Sequence, residues 1–274
     1  MPQSRLLVFD LDGTLLNSSH RIPSEVRTML MALRESDVET TLATGRPFAA
    51  IQEFIGELEL QLPLIVFNGA VVITPDGRQL SVRPLPLSPA KRILDLLEET
   101  SAANHVYLQP TDEWFYTDQQ GAAAEHITNK DGIGFRYIPS LLDVLSDATS
   151  DPVKMFSIGP RNELERLKET IQRTESTVSC VFSEHDMLEF LGPNVNKGTA
   201  LEILCDSIGA ARESVFAFGD NMNDFEMLQV AGTGVSMDTA PDELQAEADW
   251  IIRDIAAFLR DHLGEAHQME ATNG

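Results

Sequence analysis

Four consecutive apolar residues, Leu6 to Phe9, run straight into acid at Asp10, with Asp12 and Gly13 close behind. A strand that is apolar at every position suits burial on both faces, as in the middle of a parallel sheet. The carboxyl end of such a strand is where open α/β sheets bind ligands, and Asp10 and Asp12 fall there. Two carboxylates this close repel each other unless a cation or a shared proton offsets them. A hard divalent ion with oxygen ligands, such as Mg2+, meets that need. The spacing does not fit a calcium loop of the EF-hand kind, which requires a third ligand before its glycine and a closing glutamate. Two readings stay open: an acidic turn that ends a strand, or a nucleophile, Asp10, with an acid/base partner, Asp12.

The rest of the chain alternates strand and helix. Val26, Met29, Leu30 and Leu33 predict a helix over Ile22 to Ser36, with Ser24 as its N-cap. Val38 to Ala43 reads as a strand, Thr44 to Pro47 as a turn, Phe48 to Leu58 as a helix, and Pro63 to Phe67 as a third buried strand ending at Asn68. Three strand–turn–helix units joined by short links predict a parallel, doubly wound sheet. The rhythm then changes to a hairpin around Pro75, Asp76 and Gly77, followed by a proline-rich passage from Arg83 to Pro89. Mixed α/β material with more antiparallel character follows. The expected organisation is a core domain over 1–81, an inserted α/β domain over 82–190, and a second core segment over 191–274 ending in a frayed tail from Gly264. In that last segment Lys197 opens a helix, and the short strand Val215 to Phe218 again ends in acid, at Asp220, Asn223 and Asp224.

Charge narrows the range of partners. Twenty basic residues against 43 acidic ones leave a formal net charge of −23, with nothing resembling a basic stripe. Nucleic acid and anionic membrane are therefore not expected as partners, whereas a small anionic substrate is compatible if a metal and local cations offset the field. Only Cys180 and Cys205 occur, far apart, which fits a reduced compartment better than a disulfide framework. The N-terminus lacks a secretory apolar core, since Asp10 interrupts it at once. No apolar run approaches the roughly 20 residues of a membrane span. The expectation is a cytoplasmic protein of undetermined oligomeric state.

Asp10 with Asp12, Thr44 with Gly45, Lys197, and Asp220 with Asn223 and Asp224 all fall on one edge of the expected sheet. Together they supply the parts of phosphoryl transfer, in which catalysis is chiefly electrostatic and positional. Thr44 would donate its hydroxyl and Gly45 its amide to a phosphoryl oxygen. Lys197 would hold both that oxygen and the nucleophile, and Asp220 would complete a metal site.

These stretches carry a resemblance to the haloacid dehalogenase-like hydrolase superfamily. The motifs are DLDGTLL from Asp10 to Leu16, ATGR from Ala43 to Arg46, NKGTAL from Asn196 to Leu201 and GDNMND from Gly219 to Asp224. NGA at Asn68 to Ala70 and the inserted segment are similar to the Cof-type phosphatases of subclass IIB. The resemblance implies a Rossmann-like doubly wound core with an inserted α/β cap. It implies that Asp10 is phosphorylated, that Asp12 protonates the leaving alcohol and then deprotonates water, and that Lys197 serves the same centre. Mg2+ would be held by the Asp10 carboxylate, the Asp12 carbonyl and Asp220, with Asp224 orienting or ligating it. Leu11, Thr44, Gly45, Asn68, Lys197 and Asn223 would contact phosphate. In the cap, Trp114, Tyr116, His126 and Lys130 are candidate substrate contacts and Glu189 a candidate hinge residue. The implied activity is a Mg2+-dependent phosphatase of small phosphorylated metabolites, sugar phosphates first. A phosphomutase of the phosphomannomutase kind and a non-catalytic phosphometabolite sensor are the alternatives.

Overall fold

The computed structural model describes residues 5–97, 103–108, 113–116, 135–147 and 151–263. His126, Lys130 and the tail from Gly264 lie outside these residues, and of Trp114 and Tyr116 only the backbone is described. Packing divides the chain into one unit built from the residues up to Leu80 together with those from Lys197 onward, and a second spanning Ser81–Asn196.

The first unit is organised on β1 (Arg5–Phe9). It lies between β2 (Val38–Leu42) and β12 (Val215–Gly219), and the sheet continues through β13 (Thr233–Met237) to β14 (Trp250–Ile252). All four pairings are parallel. Leu6 to Phe9 are buried, as an apolar run with no polar face requires. Phe9 stacks on Phe218 of β12 at 4.3 Å between ring centroids. Each such side chain removed from water contributes about 1.5–3 kcal/mol. The chain winds from β1 to one side and returns through β12 to the other, so the order of strands reverses between β1 and β12. That reversal is where a doubly wound sheet opens a crevice.

The local structure departs from the sequence reading at several points. Ser24 does not cap its helix. The helix is Ser24–Arg34, with Pro23 ahead of it and no side-chain cap bond, and Ser24 is already helical, its carbonyl accepting from the Thr28 hydroxyl at 2.8 Å. Phe48 to Leu58 forms a tight turn, Phe48–Ile51, before the helix proper, Gln52–Glu57. The third strand, β3 (Leu64–Val66), touches the parallel sheet through one bridge, Ala43 to Ile65. It pairs instead antiparallel with β4 (Val71–Ile73), in a three-stranded sheet completed by β5 (Gln79–Val82).

The second unit is a six-stranded sheet, ordered β10 (Ser179–Glu184), β11 (Met187–Leu191), β9 (Pro152–Ile158), β6 (Ala103–Leu108), β7 (Glu113–Tyr116), β8 (Phe135–Tyr137). Only β7 and β8 pair in parallel. Helices Leu87–Leu97, Leu141–Asp147 and Arg161–Thr174 share a core with Met155, Leu188 and Phe190 of the sheet. Glu189 is not a hinge residue. It sits in the middle of β11, 1% exposed, with its carboxylate 2.6 Å from the ammonium of Lys154, itself 5% exposed. Truncating either partner would break a buried ion pair, which is strongly destabilising. Among the described residues no helix is long and apolar enough to cross a membrane.

Candidate active site

Two neighbouring strand ends, those of β1 and β12, bring the acidic residues of the first unit together. Asp10 leaves β1 with its amide bonded to the Phe218 carbonyl at 2.9 Å, which keeps it level with the end of β12. The chain then turns tightly, with the Leu15 amide reaching back to Asp10 O at 3.2 Å and the Leu16 amide to Leu11 O at 2.9 Å. Gly13 makes this turn possible. Its φ is +84°, and a Cβ there would lie 2.1 Å from Asp220 Oδ2, so any side chain would collide with that carboxylate. Leu11 is fully buried in this turn.

Lys197 opens the helix Lys197–Ile208, yet it is fully buried. Its Nζ donates to Asp10 Oδ1 and to Asp224 Oδ1, both at 2.6 Å. A cation at a helix N-terminus opposes the helix dipole, and two carboxylates here more than offset that cost. Asp224 is likewise fully buried, and its other oxygen accepts the amides of Asp220 at 3.0 Å and Asn221 at 3.2 Å. Both Asp224 oxygens are therefore engaged, so it aims Lys197 and shapes the loop that carries Asp220. Gly219 gives Asp224 room, since a Cβ there would stand 2.5 Å from the Asp224 Cβ. Asp220 accepts from the Thr14 hydroxyl at 3.0 Å.

One carboxylate oxygen each of Asp10, Asp220 and Asp224 lies within 4.8 Å of the others. Burial pushes the Asp10 carboxyl well above its ordinary pKa, against the pull of Lys197 and with the added repulsion of Asp224 and Asp220. Burial first, and Asp224 next, push Asp220 up to about 6, against the Thr14 hydroxyl and Lys197. Burial alone would depress the Lys197 pKa, but the combined attraction of Asp10 and Asp224 raises it above the ordinary lysine range, so the ammonium stays charged. Three carboxylates around one ammonium leave excess negative charge on hard oxygen donors, a set that fits Mg2+. The Asp12 carboxylate lies outside this cluster. It forms a two-pronged pair with Arg46, Nε to Oδ2 and Nη2 to Oδ1, both 2.7 Å. The sequence places Arg46 in the turn after Thr44 and in the ATGR motif but assigns it no role of its own; its pairing with Asp12 is visible only in the fold.

The remaining candidates surround the same corner. Thr44 is buried, and its hydroxyl oxygen accepts from the Arg46 amide at 3.1 Å, which leaves the hydroxyl proton to donate. Phe67 and Asn68 both have positive φ, 52° and 53°. For non-glycine residues this conformation costs on the order of 1–3 kcal/mol each. The strained turn is held by amide bonds from Phe67 to Arg46 O and from Asn68 to Thr44 O. Asn68 is buried against Gly45, and its Oδ1 accepts from Asn223 Nδ2 at 3.0 Å. Among the described residues the Asn223 Oδ1 atom is buried with no hydrogen-bond partner. A polar atom left in that state is costly unless a ligand completes it.

The sequence profile of the haloacid dehalogenase-like hydrolases matches residues 7–257. An HMP-PP phosphatase from Escherichia coli is 34% identical over 245 residues, which is 89% of this chain and 88% of that protein. Among solved structures, a haloacid dehalogenase-like hydrolase from B. subtilis superposes with a TM-score of 0.81 at 26% identity, over 94% of this chain and 99% of that one. A subclass IIB sugar phosphatase superposes with a TM-score of 0.83 over 95% and 99% of the two chains; at 20% identity this likeness concerns the fold alone.

Proposed function

The chain belongs to the haloacid dehalogenase-like hydrolases, and from that membership we propose that it is a Mg2+-dependent phosphatase of small phosphorylated metabolites that works through a phosphorylated Asp10. The observation that carries this reading is the buried Lys197 ammonium shared between Asp10 and Asp224 at 2.6 Å each, with Asp220 beside them. A cation so placed orients one carboxylate and supplies positive charge where a phosphoryl group would approach it. The E. coli relatives named as phosphatases support the same reaction class, and sugar phosphates remain the first substrate class to test.

In the proposed reaction Asp10 forms a bond to phosphorus as the ester P–O bond breaks, and the leaving oxygen takes a proton from Asp12. Asp12, now a carboxylate, accepts a proton from the water that attacks the phosphorylated Asp10 and releases phosphate. Lys197, the Thr44 hydroxyl, the Gly45 amide and the Asn223 amide hold the phosphoryl oxygens. Mg2+, held by Asp10, Asp220 and the Asp12 carbonyl, would supply charge that screens the nucleophile from the anion it attacks.

The test is phosphate release from a panel of phosphorylated metabolites with and without Mg2+. A hydrolase releases inorganic phosphate, a mutase of related mechanism yields an isomer, and a sensor binds without turnover. No metal-dependent release from any member of the panel would refute the proposal.

The acidic cluster also predicts how metal and pH act on stability. Between its ordinary pKa and about 6 the Asp220 carboxyl binds a proton more readily folded than unfolded. Its contribution to stability therefore falls as pH rises through that window. A divalent cation reverses the penalty above it. Adding Mg2+ at about 100 times its Kd should raise Tm by roughly 5–10 °C at pH 7.5, and by clearly less at pH 5, where protons compete. Equal shifts at both pH values in differential scanning fluorimetry would contradict the metal site.

A further inference from the structure

Among the described residues, Arg46 is the one buried cation at this corner of the fold to which the phosphatase reading gives no task. It is 6% exposed, its guanidinium carbon stands 5.8 Å from the centre of the Phe54 ring, and its main chain is tied at both ends, amide to Thr44 and carbonyl to Phe67. Its planar fork meets both oxygens of Asp12 at 2.7 Å. Asp12, by contrast, stands in an irregular turn directly before Gly13, and its side chain is 31% exposed. His20 also approaches it, at 3.6 Å, but that imidazole is 60% exposed. The more exposed partner is thus the carboxylate, and the enclosed one is the arginine.

We propose that Arg46 is a positioning residue for proton transfer, holding the Asp12 carboxyl in the one orientation from which it serves the leaving oxygen of the substrate. A bidentate guanidinium–carboxylate pair fixes both the place and the plane of the carboxyl group, which a single-point contact does not. As the acid, Asp12 carries its proton on one oxygen, on the lone-pair direction turned from the fork toward the substrate, while the other oxygen keeps its hydrogen bond from Arg46. Once the proton has gone to the leaving oxygen, the carboxylate accepts from the fork through both oxygens. The inference rests on the role given to Asp12 above. It extends that reading to substrate choice, because proton delivery matters in proportion to the basicity of the departing oxygen. When the P–O bond breaks, its electron pair goes to that oxygen. Phenolate needs the proton to leave readily, whereas p-nitrophenolate leaves without it.

The experiment compares kcat/KM for phenyl phosphate and p-nitrophenyl phosphate, two esters of nearly the same shape, in the wild type, Arg46→Met, Arg46→Lys and Asp12→Asn. General acid catalysis is worth about 10²–10⁴-fold. Arg46→Met should therefore lose at least ~30-fold on phenyl phosphate while staying within ~3-fold on p-nitrophenyl phosphate. With the nitro ester, kcat and KM should fall together as breakdown of phosphorylated Asp10 becomes limiting, seen as a burst of nitrophenol. Arg46→Lys keeps the buried charge but has no fork, so it should show the same discrimination at reduced size. It carries the test where the methionine variant does not fold. Equal losses on both esters, no loss on either, or a gain on phenyl phosphate would overturn the inference and leave a merely structural ion pair. If Asp12→Asn discriminates between the esters and the Arg46 variants do not, the inference alone fails. If Asp12→Asn does not discriminate either, the role assigned to Asp12 fails with it.

Discussion

Asp10→Asn is expected to reduce Mg2+-dependent release of p-nitrophenol from p-nitrophenyl phosphate by at least ~10⁴-fold, the scale on which loss of a nucleophile acts. The substitution is nearly isosteric and keeps an oxygen within reach of Lys197, so the fold should survive. What disappears is the negative charge. An amide attacks phosphorus poorly, and an ammonium that had two carboxylate partners at 2.6 Å is left with Asp224. The thermal transition should stay cooperative, and removing one of three crowded carboxylates should weaken the dependence of stability on Mg2+. Turnover close to the wild-type rate, measured on protein freed of contaminating phosphatase, would eliminate Asp10 as the nucleophile.

Lys197→Met should have the larger effect on stability. Its ammonium is fully buried and bonded to two buried carboxylates. Removing one partner of such a network typically costs about 3–5 kcal/mol, because the charges left behind are neither solvated nor paired. The direction with pH follows from linkage. In the wild type Lys197 has its pKa raised by Asp10 and Asp224 against the opposing effect of burial. Its contribution is therefore complete at neutral pH and is lost only as pH rises through its folded value. In the variant, Asp10 loses the charge that favoured its ionised form. It takes up a proton more readily when folded, and stability should climb as pH drops from 7.5 to 5, more steeply than in the wild type. Urea melts at the two pH values measure this, and a variant with unchanged midpoint and unchanged pH slope would contradict the network. Phosphatase activity should be lost together with the orientation of Asp10.

Much of this geometry could be read from the chain because each polar group follows an element whose pattern is unambiguous. Leu6 to Phe9 has no polar face, so it had to be an inner strand, and Asp10 had to stand at its end. The same logic places Asp220 after Val215 to Phe218. Lys197 was legible for the opposite reason, as a cation where a helix disfavours one. What the letters did not show are relations between side chains of different elements. Arg46 looks like a turn residue until the fold brings Asp12 to it. Met187 to Leu191 was not read as a strand. Glu189 interrupts its apolar run, and its burial makes sense only once Lys154 is seen across the sheet. The rhythm of three strand–turn–helix units puts the third strand in the parallel sheet, but the paired left-handed residues Phe67 and Asn68 cut it to three residues and turn the chain back into β4. Ser24 failed as a cap because Pro23 already sets the entry to its helix.

The position of β1 between β2 and β12 has a consequence for biosynthesis. Translation delivers Leu6 to Phe9 and their neighbours on β2 early, but their second neighbour, Val215 to Phe218, is about 200 residues downstream. All the described strands of the other unit leave the ribosome in that interval. Through most of elongation the nascent chain therefore exposes one unsatisfied edge of an all-apolar strand, beside a carboxylate whose counter-ion has not been made. Non-local pairing of this kind is slow and prone to off-pathway association. Expression yield should accordingly depend more on elongation rate and on chaperones that shield exposed strands than on the equilibrium stability of the finished enzyme.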